Sequence, residues 1–292
     1  MKEILRKFNY DYFKYKNNLI LRKKCPCCSS GKKKETWVKY NKHFKAVRCT
    51  KCDFIYLENI LNHTALNDYY NNYVDFRLKN KIKLVQRKKM YEIDFKYLSL
   101  YMKKGKLLDI GCSNGGFLKI LQKKYNSFGI DIDAEAIKIA KKTKYLSKKF
   151  FNISLNEVKN KLGKFDIAIL RGVIEHVENP REYFKQISKI LNKNGIIFIS
   201  ATPNVDSPCA IKFKDKWNQF DPIQHINLFS CETINKIGND YGFKLIGQHY
   251  PYLETPYANK NTDFKNFISK KTTISPPFWG SMMTLILKKY EI

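Results

Sequence analysis

No unbroken apolar run in this chain approaches the roughly 18 residues that a membrane-crossing helix needs, so no such helix is expected. Residues 1–13, MKEILRKFNYDYF, lack a continuous apolar core and a small-residue cleavage site, so no secretion signal is expected there. Arginine is scarce, at 7 of 55 basic residues. It is the side chain best suited to bidentate contacts with phosphates and base edges, so its scarcity weighs against a surface built to read nucleic acid. Acidic residues are also few, 26 against those 55, which leaves a formal net charge of +29. Cysteine is thin outside one window: five of eight lie within residues 25–52, while Cys112, Cys209 and Cys231 stand alone. That distribution argues against a disulfide framework and points to one local metal site in a reducing cytoplasm.

What is present is globular in composition. Across 292 residues, 43% are hydrophobic and 28% charged, which is enough to bury a sizeable core and too apolar for a disordered chain. Lysine supplies 48 of the basic residues, asparagine reaches 26, and tyrosine with phenylalanine reaches 39. Coding bias produces this kind of uniform enrichment, so much of the charge reads as solvated surface. The positive field would still draw anionic small molecules toward the protein.

Four segments follow from the pattern. Residues 1–20 are a polar-aromatic appendage. Residues 21–57 form a cysteine module, in which Trp37, Val38 and Tyr40, then Phe44, Ala46 and Val47, mark two short strands around a polar turn. Residues 58–105 read as a helical linker or cap. It carries the cluster Tyr69, Tyr70, Tyr73 and Phe76, then an amphipathic series Ile82, Val85, Met90, Ile93 and Leu98. The three tyrosines pack either over a ligand mouth or against the neighbouring domain. Residues 106–292 form the main domain.

In that domain, apolar strands are expected at 106–111, 127–132, 148–153, 164–173, 194–203, 241–250 and 281–290. Helices are expected at 117–125, 134–146, after Asn179 and after Ser230. Asn179 can cap, Pro180 suits the first helical position, and Glu182 completes a capping box. Tyr183, Ile187, Ile190 and Leu191 would form that helix's buried stripe. The alternation implies an α/β fold, a mostly parallel sheet with helices on both faces. Residues 251–280 carry no helix signal, so the last strand would enter antiparallel. Ligands bind such sheets at the C-terminal strand ends, where strand order reverses.

The strongest local signal is LLDIGCSNGGF, residues 107–117: a strand runs into Gly111, then Gly115 and Gly116 open a helix. Glycines there let backbone approach a ligand closely. Ser113 breaks a dinucleotide-binding fingerprint. Asp109 suits a cationic ligand group or the ordering of loop amides. Asp131, in GIDID, closes the second strand, where a carboxylate can accept from ribose hydroxyls.

Asp109, Gly111 and Gly115 in DIGCSNG, Asp131 in GIDID, Asp166 in KFDIAI, and RGVIEHVENP at 171–180 together resemble a class I S-adenosylmethionine-dependent methyltransferase over about 106–290. The resemblance implies a seven-stranded Rossmann-like sheet with its last strand antiparallel. It implies that the Gly111–Gly115 turn, including Ser113 where the family usually has glycine, holds the methionine part of the cofactor. Asp109 would help anchor the amino group, Asp131 would bind ribose, Asn152 would lie near adenine, and Arg171 and Gly172 would lie beneath the cofactor. Glu175 and His176 would begin the active-site rim, with His176 either touching substrate or ordering its loop. Residues 201–230 are similar to the segment covering the active site in small-molecule methyltransferases. Within it, His225 is the candidate general base or, alternatively, a structural residue before the next helix.

Cys25 and Cys28, then Cys49 and Cys52, make two i, i+3 thiol pairs, the spacing that brings four sulfurs to one tetrahedral ion. Four thiolates describe a closed, structural zinc site. Cys27 is the spare, and His43 reads as a strand or turn residue. The module looks like the N-terminal zinc-binding domain of several bacterial small-molecule methyltransferases, including sugar-modifying ones. The expected function is methyl transfer to a small, anionic or sugar-linked acceptor. RNA methylation, with Lys32–Lys34 on phosphate, and a non-enzymatic interaction protein that kept the fold are the alternatives.

Overall fold

The computed structural model describes residue 15 and residues 17–31, 34–40, 43–66, 68–69 and 81–290. Residues 1–14, Lys32, Lys33, Tyr70, Tyr73 and Phe76 lie outside the described residues.

Among the described residues, five short strands come first: β1 (Leu19–Leu21), β2 (Lys34–Lys39), β3 (Lys45–Cys49), β4 (Ile55–Leu57) and β5 (Asn59–Leu61). Then follow α1 (Lys81–Tyr101), β6 (Lys106–Ile110), α2 (Leu118–Leu121), β7 (Asn126–Asp131), α3 (Ala134–Lys141), β8 (Phe150–Asn152), α4 (Val158–Leu162), β9 (Phe165–Arg171), α5 (Pro180–Ile190) and β10 (Leu191–Pro203). The chain continues through α6 (Pro208–Phe213), β11 (Asn227–Leu228), α7 (Cys231–Asp240), β12 (Phe243–His249), α8 (Lys260–Ile268) and β13 (Met282–Lys289).

Seven strands form one sheet in the order β12-β13-β10-β9-β6-β7-β8. β6 pairs parallel with β7 and β9, and β13 runs antiparallel between β10 and β12. This is the Rossmann-like methyltransferase sheet expected from the sequence. Leu107, Leu108 and Ile110 of β6 and Ile167–Leu170 of β9 are buried, as central parallel strands covered on both faces must be. Strand order reverses at β6, so a cleft opens beyond the C-terminal ends of β6, β7 and β9.

Caps set the helix starts. Asn179 Oδ1 accepts from the Glu182 amide at 3.1 Å, with Pro180 at the first helical position of α5. Ser230 caps α7 through the Thr233 amide. The buried stripe of α5 is Phe184, Ile187 and Ile190; Tyr183 is half-buried and Leu191 already begins β10. Three expectations need correction. The regular helix after the glycine turn is a single turn, α2. A helix, α8, forms within 251–280. Among the described side chains of α1 the buried positions are Met90, Asp94 and Leu98, one per turn on a single face, whereas Ile82 and Val85 in its first turns are exposed.

The cysteine module builds a four-stranded antiparallel sheet ordered β11-β4-β3-β2. Its outer strand β11 comes from the segment between α6 and α7, where Asn227 pairs with Tyr56 and Leu228 with Ile55. β1 pairs with β5 beside it. Among the described residues no helix is long and apolar enough to cross a membrane.

Candidate active site and cysteine cluster

The Gly111 and Cys112 amides both donate to the Ile130 carbonyl, at 2.9 and 3.0 Å, pinning the turn after β6 to β7. Gly111 has φ +73°, and a Cβ there would lie 2.8 Å from Val173 Cγ2, so glycine lets the turn after β9 close against it. Ser113 stands at φ +50°, in the left-handed region where an L side chain is disfavoured by about 1–2 kcal/mol. Its amide donates to Asp131 Oδ2 at 2.8 Å, while Asp131 Oδ1 accepts from the Asp133 amide at 2.9 Å. The Asp131 carboxylate therefore holds the turn, and each oxygen keeps a second lone pair for a ligand hydroxyl. Burial raises its pKa, against the pull of the backbone donors.

Asp109, near the C-terminal end of β6, is 3% exposed. Burial pushes its carboxyl up to about 7, with Arg171 acting in the opposite direction and Asp131 reinforcing the rise. Among the described residues no donor bonds to it. A carboxyl so buried is accommodated either by protonation or by a cationic partner. Together with Asp131, it makes the cleft fit a ligand that carries both an ammonium and a ribose.

Asn152 Nδ2 donates to the Asp131 and Ile132 carbonyls, each at 3.0 Å, and so aligns the ends of β7 and β8. Ile132, 78% exposed, offers an apolar face beside Asp131. An isoleucine directly after a strand-end aspartate is a signal that the sequence itself carries. Arg171 Nε donates to Asp94 Oδ2 at 2.7 Å, and its guanidinium lies 4.7 Å from the Tyr91 ring centroid. Arg171 thus docks α1 on the cleft. Asp94 was hidden in the sequence because an aspartate in a charged helix reads as surface.

The rim follows directly. Glu175 is buried, accepts from Thr202 Oγ1 at 3.2 Å, and is pushed up to about 7 by burial. His176 Nε2 lies 3.8 Å from Glu175 Oε1. His176 Nδ1 meets the Gln224 carbonyl at 2.8 Å, and His225 Nδ1 meets the Gln219 carbonyl at 2.7 Å. A carbonyl can only accept, so both Nδ1 atoms carry hydrogen. The two ring centroids are 5.1 Å apart. The structure thus brings His176 and His225 together and adds Glu175 as their partner.

Cys25 Sγ and Cys52 Sγ are 3.6 Å apart, and Cys28 Sγ and Cys49 Sγ 3.7 Å. All four sulfurs lie within 4.8 Å of one another. A tetrahedral ion with bonds of about 2.3 Å places its sulfurs about 3.8 Å apart, so the cluster suits a metal of the zinc type. The two pairs share one local design. The Ser29 amide returns to the Cys25 carbonyl and the Asp53 amide to the Cys49 carbonyl, each at 2.8 Å, with Ser29 and Asp53 both left-handed. Cys27 is buried nearby but falls outside the four-sulfur group.

Sheet order, glycine turn and strand-end carboxylates define an S-adenosylmethionine-dependent methyltransferase. Residues 86–248, more than half of the chain, match the family model described as a methyltransferase domain, and the chain belongs to that family. A ubiquinone biosynthesis O-methyltransferase of Pelagibacter ubique is 30% identical over 182 residues, covering 58% of this chain and 75% of the relative. An uncharacterised protein of Methanocaldococcus jannaschii is 26% identical over 157 residues, covering 54% and 73%. Among solved structures, an S-adenosylmethionine-dependent methyltransferase of Thermotoga maritima shares the fold, with a TM-score of 0.50 at 18% identity, covering 77% of this chain and 98% of that one.

Proposed function

We propose that this methyltransferase acts on a small-molecule acceptor through an oxygen atom, and that the acceptor is a sugar or a nucleotide-linked sugar. The observation that carries this reading is the pairing of His176 and His225, whose ring centroids lie 5.1 Å apart beside the buried Glu175. An oxygen nucleophile must give up a proton, and a neutral imidazole is suited to take it near neutral pH. The O-methyltransferase from Pelagibacter ubique supports oxygen as the acceptor atom. The net charge of +29 supports a phosphorylated or otherwise anionic acceptor.

When bound, S-adenosylmethionine supplies an electrophilic methyl group on a sulfonium. Asp109 would hold its ammonium, Asp131 its ribose, the Gly111–Gly115 turn with Ser113 its methionine portion, and Asn152 and Ile132 the adenine end. Arg171, committed to Asp94, keeps α1 over the cleft. His225 accepts the acceptor's proton at Nε2, while its Nδ1–H is held by the Gln219 carbonyl, so the ring stays aimed. His176 is held in the same way by Gln224. The cysteine cluster, filled by zinc through Cys25, Cys28, Cys49 and Cys52, serves structure.

Calorimetric titration of metal-replete protein with S-adenosylhomocysteine tests the cofactor site, with about one site per chain expected. A methyl-transfer screen then sets sugar nucleotides against hydroxylated aromatics and bulk RNA. Turnover on RNA alone, or on amines alone, would overturn the acceptor assignment.

A further inference from the structure

Residues 260–280 leave an aromatic face in solvent that the site described above does not use. Phe264 and Ile268 stand four residues apart on one face of α8 and are 50% and 60% exposed. Trp279 is 47% exposed and joins them: its ring centroid lies 6.1 Å from that of Phe264 and 5.0 Å from that of Phe267. Trp279 holds φ +50°, a left-handed conformation rare for a bulky side chain, so the fold keeps this indole outside against its backbone preference. The chain beside it is tethered: Asn204 Nδ2 donates to the Gly280 carbonyl and the Asn204 amide to the Ser281 carbonyl, each at 3.0 Å. Asn204 directly follows β10, and Met282 pairs with Pro203, so Trp279 lies at the same end of the sheet as the cleft.

Lysines frame this face. Lys212 Nζ sits 4.1 Å from the Phe267 ring centroid, and Lys265, Lys270 and Lys271 are exposed on α8 and the turn after it. Residues 255–290 contain one acid, Asp263, and it is buried, accepting from the Tyr252 hydroxyl at 2.7 Å. The cores of protein–protein interfaces are poor in lysine. A bilayer surface instead takes aromatic and aliphatic groups at headgroup level, while lysine stems beside them carry their ammonium groups to the headgroups. We propose that this face docks on an anionic lipid bilayer, with Phe264, Ile268 and Trp279 entering the boundary between headgroups and acyl chains. Lys212, Lys265, Lys270 and Lys271 would then meet lipid phosphates. Docking in this way turns the cleft end of the sheet toward the bilayer. The proposal stands apart from the acceptor assignment, because lipid binding is read without methyl transfer.

The test is flotation of full-length, zinc-loaded protein with vesicles of phosphatidylglycerol mixed with phosphatidylcholine, against vesicles of phosphatidylcholine alone. Binding to the first set and not to the second is expected. The double variant Phe264→Ser, Trp279→Ser keeps the net charge of +29, so it separates this face from general attraction by a basic surface. It should bind at least about ten-fold more weakly, because two apolar side chains no longer leave water. Lys265→Gln and Lys271→Gln should each weaken binding by about five-fold. No binding to the anionic vesicles, equal binding to both sets, or equal binding by wild type and the double variant would each overturn the proposal. So would self-association of the wild type that Trp279→Ser abolishes, since a second copy would then cover the face. Lipids brominated on the acyl chain give a readout that needs no variant. They should quench wild-type tryptophan emission through Trp279, because Trp217 is buried and Trp37 packs against Phe220. Unquenched emission from vesicle-bound protein would also overturn the proposal.

Discussion

Arg22 Nη2 donates to Asn227 Oδ1 at 2.9 Å, and this bond ties the cysteine module to the loop that carries His225. The same guanidinium reaches the Ile226 carbonyl at 3.0 Å and the Glu178 carbonyl at 2.9 Å, while Asn227 Nδ2 reaches the Val177 carbonyl at 2.6 Å. A residue three positions before Cys25 therefore braces the segments holding both His176 and His225. Arg22→Gln would leave buried carbonyls short of donors, at about 1–3 kcal/mol for each group left unsatisfied. A lower melting temperature and slower turnover are expected, with S-adenosylhomocysteine affinity little changed. An unaltered melt and rate would show that the brace is dispensable.

Asp109 predicts a pH dependence. Its folded pKa of about 7 lies above the ordinary 3.8, so the folded state binds more protons than the unfolded one between those values. Its contribution to stability is full below about pH 3.8 and is lost as pH rises through about 7. A bound ammonium reverses the preference by favouring the carboxylate. Cofactor affinity should then fall as pH drops from about 8 to about 6, and Asp109→Asn should bind more weakly without that slope. Calorimetry across the range checks both, and a slope retained in the variant would mean another group titrates.

Asp131→Ala removes the acceptor for the Ser113 and Asp133 amides along with the ribose contacts proposed for it. Charged hydrogen bonds of this kind contribute about 1.5–3 kcal/mol each, so cofactor affinity should fall by at least ten-fold. Unchanged affinity would sink the ribose assignment.

Ser113→Gly should be tolerated. It relieves a left-handed backbone disfavoured by about 1–2 kcal/mol, partly offset by the greater freedom of glycine in the unfolded chain. A small rise in melting temperature with cofactor affinity preserved is expected. A marked loss of affinity would show that the Ser113 side chain itself contacts the ligand.

Cys25→Ser or Cys52→Ser should release the metal and loosen residues 21–57. The disturbance should spread to β11, which belongs to the same sheet as β3 and β4. Metal analysis and hydrogen exchange over residues 226–228 test this. Full metal content in both variants would show that Cys27 or another residue completes the ligand set.

What the sequence alone determined is local. Strand and helix alternation, the Asn179-Pro180 start of α5, the turn between Gly111 and Gly115, and the paired cysteines are all written in short spacings, because capping, left-handed turns and two-sulfur loops close within a few residues. The helix after the glycine turn, α2, stops after one turn, and Asp94 looks like a surface residue until Arg171 covers it. Tertiary structure alone decided which distant groups meet. Asp94 reaches Arg171 across 77 positions, Arg22 reaches Asn227 across 205, and His176 meets the Gln224 carbonyl across 48, next to His225. No periodicity encodes such pairs, since each is set by how the sheet order folds separate loops over the same strand ends.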